Sequence, residues 1–370
     1  MKKIITLISI AFLIILSACG APTPQKAGET ASTNESKNES KSGEKSITIA
    51  GNGGVIEKTI RDVIAPKFKE ETGITVNYVP GLSGEILSKV ELQKNAPQID
   101  IAIFVPTDVY RANDKGLTEK VDGSNVPNMN NVDPKFIAVE GGGAPVFGLV
   151  ISPAYNTEAF EEKGLKPIES WNDLPSGQYE GRTAFVDITN DWGFNTLYAL
   201  AMTNGGGTDN VEPGIEKAKE LAGYSPTFYK NSTQVMPAIQ QGSADVTVMG
   251  SYVIGDLALS GVPIKMVVPK EGVPIQSFSG ALVKNAPNEK EALEFINYLV
   301  SKESQELISE QGFYPVVEGL ELPEKFQESI GLKDTDKTYK PDFAAFAEIR
   351  AEWSDRWTKE VVPEIGKLLK

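Results

Sequence analysis

This chain of 370 residues predicts an α/β fold of two lobes, each a mostly parallel sheet flanked by helices. Three observations point there. About 325 residues follow a polar N-terminal stretch, more than one hydrophobic core usually serves. Short apolar runs alternate with amphipathic helical patterns in two separate series, as parallel α/β units require. Between the series lies "PVFGLVISPAYNT" (145–157), an extended apolar segment that reads as a strand crossing between lobes, with a return at "FSGALV" (278–283).

The N-terminus stands apart from this pattern. Lys2 and Lys3 precede an apolar run from Ile4 to Leu16, about 13 residues long. A bilayer-spanning helix needs roughly 20, and the basic start and small-residue end have the layout of an export signal. Residues 1–18 are therefore expected to be a signal peptide. Cys19, the only cysteine, closes that run in "LSAC" and is a better lipidation site than a core residue, because nothing globular surrounds it. Residues 19–45 hold the cysteine and a polar linker whose segment after Cys19 has no aromatic residue, Val, Ile or Leu. Such a segment buries too little apolar area to offset its ordering entropy, and as a coil it reaches roughly 28 Å.

The first series begins with a strand at "SITIAG" (46–51), followed by a helix in "VIEKTIRDVIAPKFKEETG". Val55, Ile56, Ile60, Val63, Ile64 and Phe68 recur there at spacings of three and four, and Gly73 ends it. "ITVNYV" (74–79) is the second strand, "GEILSKVELQ" (84–93) the second helix and "DIAIF" (100–104) the third strand. The second series has strands at "TAFVD" (183–187), "DVTVM" (245–249) and "IKMVV" (264–268), with helices at "GFNTLYALAMTN" and "STQVMPAIQQG". Helices at "EKEALEFINYLVS" and "KESQELISEQG" follow, and an aromatic-rich helical region from about Pro341 is expected on the outside. Lobe limits of 46–148 with 282–370, and 149–281, follow from this order.

Charge and composition exclude several functions. The formal net charge is -14, becoming -16 without Lys2 and Lys3, so the basic footprint that nucleic acid or anionic lipid requires is missing. With no histidine and no cysteine beyond Cys19, a Ser-His-Asp or Cys-His site cannot be built, and no nucleophile-elbow or zincin motif occurs. Catalytic residues, resident metal and cofactor are accordingly expected to be none. A hydrolase built on carboxylate pairs and a structural lipoprotein remain the alternatives of other classes.

Several phrases make the chain resemble the solute-binding lipoproteins of bacterial ABC importers, in the cluster of spermidine/putrescine, ferric-ion, thiamine and phosphonate binders. They are "FKEETGITV" (68–76), "AYNTEAF" (154–160), "SWNDL" (170–174), "QQGSADVTV" (240–248), "GVPIKMVVPKEG" (261–272) and "NAPNEKEALEFINYLVSKESQELISEQGFYPV" (285–316). The resemblance implies a periplasmic-binding-protein type 2 fold, with a two-strand hinge and a ligand in the cleft. It also implies permease subunits as partners, a monomer, and attachment to the outer face of the cell membrane through Cys19.

Most of these phrases read as scaffold. Trp171 in "SWNDL" is expected to pack at a helix start, with Ser170 as cap and Asp173 favoured by the helix dipole. "PKEG" reads as a turn with solvated charges. Better ligand candidates lie at the carboxyl ends of strands, where a doubly wound sheet opens its crevice and helix N-termini present free N–H groups. "GNGG" (51–54) offers Asn52 and Gly53; Glu57 stands where a dinucleotide fingerprint needs its third glycine, so a tight turn is expected. "GLSG" (81–84) offers Ser83, placed to cap the next helix, and Gly84. "VPTD" (105–108) offers Thr107 and Asp108. "DITNDWGFNT" (187–196) offers Asp187, Asp191, Trp192 and Asn195. Tyr252 and the stretch Gln276, Ser277 and Ser279 are expected to close the cleft from the far lobe and the hinge.

Polyamine members of the resembled family use an aromatic box plus carboxylates. Here Asn52 and Gly53 stand where a Trp is expected, Val109 where a Tyr is, and Gln276 and Phe278 where a Trp and an Asp are. Ferric binders typically use adjacent tyrosines, which this chain lacks. The remaining hydroxyls and glycines suit an anion-bearing or zwitterionic organic solute, such as a phosphonate or phosphate ester. Polyamine binding stays the alternative, because Asp108, Asp187, Asp191 and Trp192 supply carboxylates and a ring by another route.

Overall fold

The computed structural model describes residues 45–370. Signal peptide, Cys19 and nearly all of the linker lie outside the described residues. Strands β1 (Ser46–Gly51), β2 (Thr75–Pro80) and β3 (Ile101–Phe104) form the first parallel set, with β1 between the other two. Helices α1 (Val55–Lys58) and α2 (Ala65–Thr72) are one run joined by a π-helical stretch, Thr59–Ile64. Pro66 lies just beyond that stretch and has no N–H to give, a defect the wider π turn absorbs. Gly73 ends the run in the left-handed conformation at φ 74°, as its position predicts.

Helices α3 (Ser83–Leu92) and α4 (Pro106–Asp114) follow β2 and β3. The long strand β4 (Ala144–Asn156) then crosses between the two lobes, with α5 (Thr157–Lys163) after it. The second parallel set is β5 (Thr183–Val186), β6 (Phe228–Tyr229) and β7 (Val246–Gly250), with β5 in the middle. Its helices are α6 (Asp191–Thr203), α7 (Glu212–Gly223), α8 (Ser232–Gln240) and α9 (Ser251–Leu259). Strand β8 (Ile264–Met266) pairs with β4, and β9 (Val273–Leu282) returns antiparallel to both β3 and β4.

Antiparallel β4 and β9 join the two parallel sets into the order β2-β1-β3-β9-β4-β7-β5-β6. They are the two-strand hinge. Every residue of β9 and all but the last of β4 are buried; β4 reads as a near-continuous apolar run, whereas β9 carries Gln276, Ser277 and Ser279 at its centre. Helices α10 (Glu289–Leu299) and α11 (Lys302–Ser309) complete the first lobe's cover, where Phe295 meets Phe68 edge-on at 4.8 Å.

The C-terminal quarter packs on elements of both lobes. Helix α12 (Glu324–Ile330) sets Phe326 and Ile330 over Gly255 of α9, and β10 (Thr338–Tyr339) pairs with β9. Helix α13 (Phe343–Arg356) stacks Trp353 on Phe194 of α6 at 5.1 Å, and Trp357 meets Phe228 of β6 at the same separation. The limits read from sequence put this whole tail with the first lobe and on the outside. Its aromatic contacts are with second-lobe elements, Phe194 and Tyr198 meeting the apolar face of α13, while α13 also packs on α4 of the first lobe.

Candidate functional site

Strand carboxyl ends from both parallel sets open onto one cleft of about 510 Å³. β1 contributes Asn52 and Gly53; β2 contributes Pro80 to Glu85; β3 contributes Val105, Asp108 and Arg111. Facing them are Thr189 to Trp192 after β5, Lys230 to Thr233 after β6, and Tyr252 after β7. Phe278 of the hinge and Arg350 of α13 complete the wall. The size suits a small organic ligand.

Local chemistry explains how each loop arrives there. Gly193, in the first turn of α6, lies so close to the Val186 and Asp187 carbonyls that no Cβ fits, which draws the helix start down onto β5. Asn190 caps α6 by accepting from the Trp192 N–H at 3.0 Å, and Asn231 caps α8 by accepting from the Gln234 N–H at 3.2 Å. On the opposite wall Tyr78 donates to the Asn52 carbonyl at 2.7 Å, holding the turn after β1. Burial, then Glu57 and Tyr252, push that phenol well above its ordinary range.

Eight of the residues expected from sequence line the cleft together: Asn52, Gly53, Ser83, Gly84, Asp108, Asp191, Trp192 and Tyr252. Ser83 does so without capping. The cap position is Leu82, whose N–H donates to the Glu85 carboxylate at 3.1 Å, while Ser83 Oγ accepts from the Val105 N–H at 3.1 Å and ties the β2 loop to the β3 loop. Tyr252 stacks on Phe313 at 4.5 Å and meets Trp192 edge-on at 6.3 Å, so both cleft rings are held in fixed orientations. Burial raises the Tyr252 phenol and keeps it neutral.

The other six lie behind the wall. Gln276 is one bond away, its Nε2 donating to Asp191 Oδ2 at 2.6 Å. Ser277 and Ser279 face the opposite side of β9: alternation along the strand puts Phe278 in the cleft wall and Gln276 on the same face behind Asp191, and Ser277 Oγ donates to the Phe136 carbonyl instead. Asp187 is occupied by Thr189, which donates through its N–H and Oγ1, and by Trp357 Nε1 at 3.1 Å. Asn195 is fully buried and donates to the Asp191 carbonyl at 2.9 Å. Thr107 is likewise fully buried in the first turn of α4.

Scaffold expectations fare similarly. Trp171 is buried with Nε1 donating to the Gly272 carbonyl at 2.9 Å, and Ser170 caps its short helix. Glu271 of "PKEG" is not simply solvated: its carboxylate accepts from Ser170 Oγ at 2.7 Å.

Charge in the cleft is balanced. Glu85, Asp108 and Asp191 are matched by Arg111, Lys230 and Arg350. Asp108, 5 % exposed, pairs with Arg111 Nη1 at 2.8 Å; Asp191, 8 % exposed, lies 3.7 Å from Arg350 Nη1. Burial pushes the Asp191 carboxyl up, Arg350 and Gln276 pull it down, and Asp108 adds to the rise. Sequence reading missed Arg350, along with Glu85, Arg111 and Lys230. Arg350 Nη2 donates to the Thr189 carbonyl at 3.1 Å and its guanidinium sits 5.0 Å from the Phe194 ring. Arg350 Nη1 and Asn52 Oδ1 are both buried without a hydrogen-bond partner among the described residues.

Among the described residues no cluster of three or more His, Cys, Asp or Glu is grouped as metal ligands would be, and no helix is long and apolar enough to cross a membrane.

Residues 64–334 match the model of a family described as bacterial extracellular solute-binding proteins. "Iron uptake protein A1" of Synechocystis sp. is 26% identical over 74% of this chain and 76% of its own length. The "Spermidine/putrescine-binding periplasmic protein" of Salmonella typhimurium is 27% identical, covering 67% and 72%. The "Putative 2-aminoethylphosphonate-binding periplasmic protein" of the same organism is 22% identical, covering 78% and 80%. Among solved structures, the periplasmic binding protein AfuA from Actinobacillus pleuropneumoniae, with exogenous fructose-6-phosphate bound, superposes with a TM-score of 0.71 at 21% identity, over 85% of this chain and 98% of that one. That likeness is one of fold.

Proposed function

The chain belongs to the bacterial extracellular solute-binding proteins, the substrate-binding components of ABC transporters, and on that premise we propose that it captures a small organic solute bearing an anionic group. The observation that carries this reading is the buried Arg350 Nη1, which has no hydrogen-bond partner and reaches Asp191 only as an ion pair at 3.7 Å, at the wall of a cleft also lined by Arg111 and Lys230. An unsatisfied buried donor is costly, and a ligand carboxylate, phosphonate or phosphate oxygen would satisfy it. The α6 and α8 N-termini on the same wall add positive potential. Trp192, Tyr252 and Phe278 offer ring faces to the organic portion.

In this reading the ligand bridges the two walls, β4 and β9 flex as the hinge, and permease subunits take the loaded form. Cys19 holds the protein by its lipid to the outer face of the membrane, with the linker as its leash. The lobe limits are proposed as 46–148 with 282–370, and 149–281, with the tail bridging them, since α13 packs on α4 of the first lobe as well as on α6 of the second.

Polyamine uptake is the second reading, favoured by the buried carboxylates of Asp108 and Asp191. Thermal unfolding of the chain from Ser46 separates the two. A ligand at about 100 times its dissociation constant adds roughly 2.7 kcal/mol of stability. Stabilisation by phosphonates or phosphate esters supports the first reading; stabilisation by spermidine alone replaces it with the second.

A further inference from the structure

We propose that the solute is a zwitterion whose ammonium and anionic groups exchange partners with two Asp–Arg pairs, Asp108–Arg111 on one wall and Asp191–Arg350 on the other. The inference rests on the cleft being the solute site, and it adds a requirement for an amine. Three acidic and three basic side chains line the cleft, so its formal charge is zero within a chain of net charge -14. A polycation would be matched by an acidic excess and a dianion by a basic one. Neither excess is present.

Depth assigns the two ends. The Asp108 and Asp191 side chains are 6% and 8% exposed, whereas those of Arg111 and Arg350 are 40% and 20% exposed. In each pair the carboxylate is the deeper group and the guanidinium the more exposed one. An ammonium reaching that depth gains two buried carboxylates, while the anionic group meets Arg350 Nη1, which holds Asp191 only at 3.7 Å and without a hydrogen bond. Asp191 does not lose its footing in the exchange, because Gln276 Nε2 keeps it at 2.6 Å. No bond is made or broken; each charged group trades one ionic partner for another, so the buried charges stay paired throughout.

The test is calorimetric titration of the chain from Ser46 with two zwitterions, 2-aminoethylphosphonate and O-phosphoethanolamine. Each is compared with its deaminated counterpart, ethylphosphonate or ethyl phosphate, and spermidine is included. At least one zwitterion is expected to bind roughly 10- to 100-fold more tightly than its counterpart, the worth of a hydrogen bond to a charged group. Asp191→Asn should bring that preference below about 5-fold, by weakening the zwitterion while the counterpart, freed of a carboxylate competing for Arg350, binds no more weakly. Arg350→Gln should weaken both alike. Unfolding midpoints of the variants check that they fold. Counterparts that both bind as well as their zwitterions, or a preference that survives Asp191→Asn, overturn the inference and leave anion capture standing. Binding of spermidine alone, or of none of the five, removes the anion reading and the inference with it.

Discussion

Gln276 Nε2 donates to Asp191 Oδ2 at 2.6 Å, joining hinge strand β9 directly to the first turn of α6. The contact ties a buried carboxylate of the cleft wall to one of the two strands that join the lobes. Gln276→Leu should therefore cost about 1.5–3 kcal/mol of stability near neutral pH, the worth of a hydrogen bond to a charged group. Denaturant unfolding checks it. Asp191 titrates above the ordinary carboxyl range through burial, so the folded state takes up its proton at higher pH than the unfolded chain. The stability linked to that proton is present at low pH and lost as pH rises through the folded value. The cost of Gln276→Leu should accordingly shrink on acidification, since a protonated carboxyl needs the donor less.

The same titration has a sign for binding. Asp191 is faced by Arg350 from α13, by Asp108 and Arg111 from α4, and by Lys230, Glu85 and Tyr252 around the cleft. If an ammonium docks on the ionised form, affinity rises with pH from the ordinary carboxyl range upward, and binding releases a proton. Titration in two buffers of different ionisation enthalpy measures that release. Asp191→Asn should abolish it.

Asp245 gives the opposite case. Burial works to raise its carboxyl, but Arg182 and Lys163 outweigh it and hold it below the usual range. Their nitrogens lie 2.8 and 2.5 Å from its oxygens, and both cations are about 40% exposed, so water screens the pairs. Asp245→Asn should cost about 1–2 kcal/mol at neutral pH. A depressed folded value confers stability above the unfolded one, lost as pH falls through the folded one. The gap between wild type and variant should hold down to about pH 5 and close below about pH 4.

Neighbours on β9 should behave differently. Phe278 lines the cleft, its ring 6.2 Å from that of Tyr252, whereas Ser277 faces the Phe136 carbonyl. Phe278→Leu should weaken ligand binding several-fold and cost about 1 kcal/mol of stability. Ser277→Ala should cost a similar amount of stability and leave affinity unchanged. Loss of affinity in Ser277→Ala would contradict the strand register.

These contrasts show how much of the site was legible. The rule that crevices open at strand carboxyl ends found residues after β1, β2, β3, β5 and β7, because each loop is tied to its own strand. It failed where tertiary placement decides. Ser277 and Ser279 were assigned to the cleft because composition does not reveal which face of a strand is inward, and a shift of one residue reverses every side chain. Ser83 was one position away from the cap because the Glu85 carboxylate already serves the Leu82 N–H. Arg350 left no local signal: it sits in an amphipathic helix whose arginine meets the cleft only because Phe346 and Trp353 dock on Phe194. Scaffold was easier. Trp171, buried and bonded to Gly272, was read as packing, and Trp171→Ala should cost about 3–5 kcal/mol while sparing the affinity of the molecules that remain folded.

The chain has four tryptophans, and Trp192 is the one that lines the cleft. Tryptophan fluorescence during titration with phosphonates and phosphate esters therefore tests solute capture most directly. A saturable change that vanishes in Trp192→Phe and is weakened by Arg350→Gln is the predicted result. A flat titration with every anionic solute, or a change that persists unaltered in both variants, would contradict it.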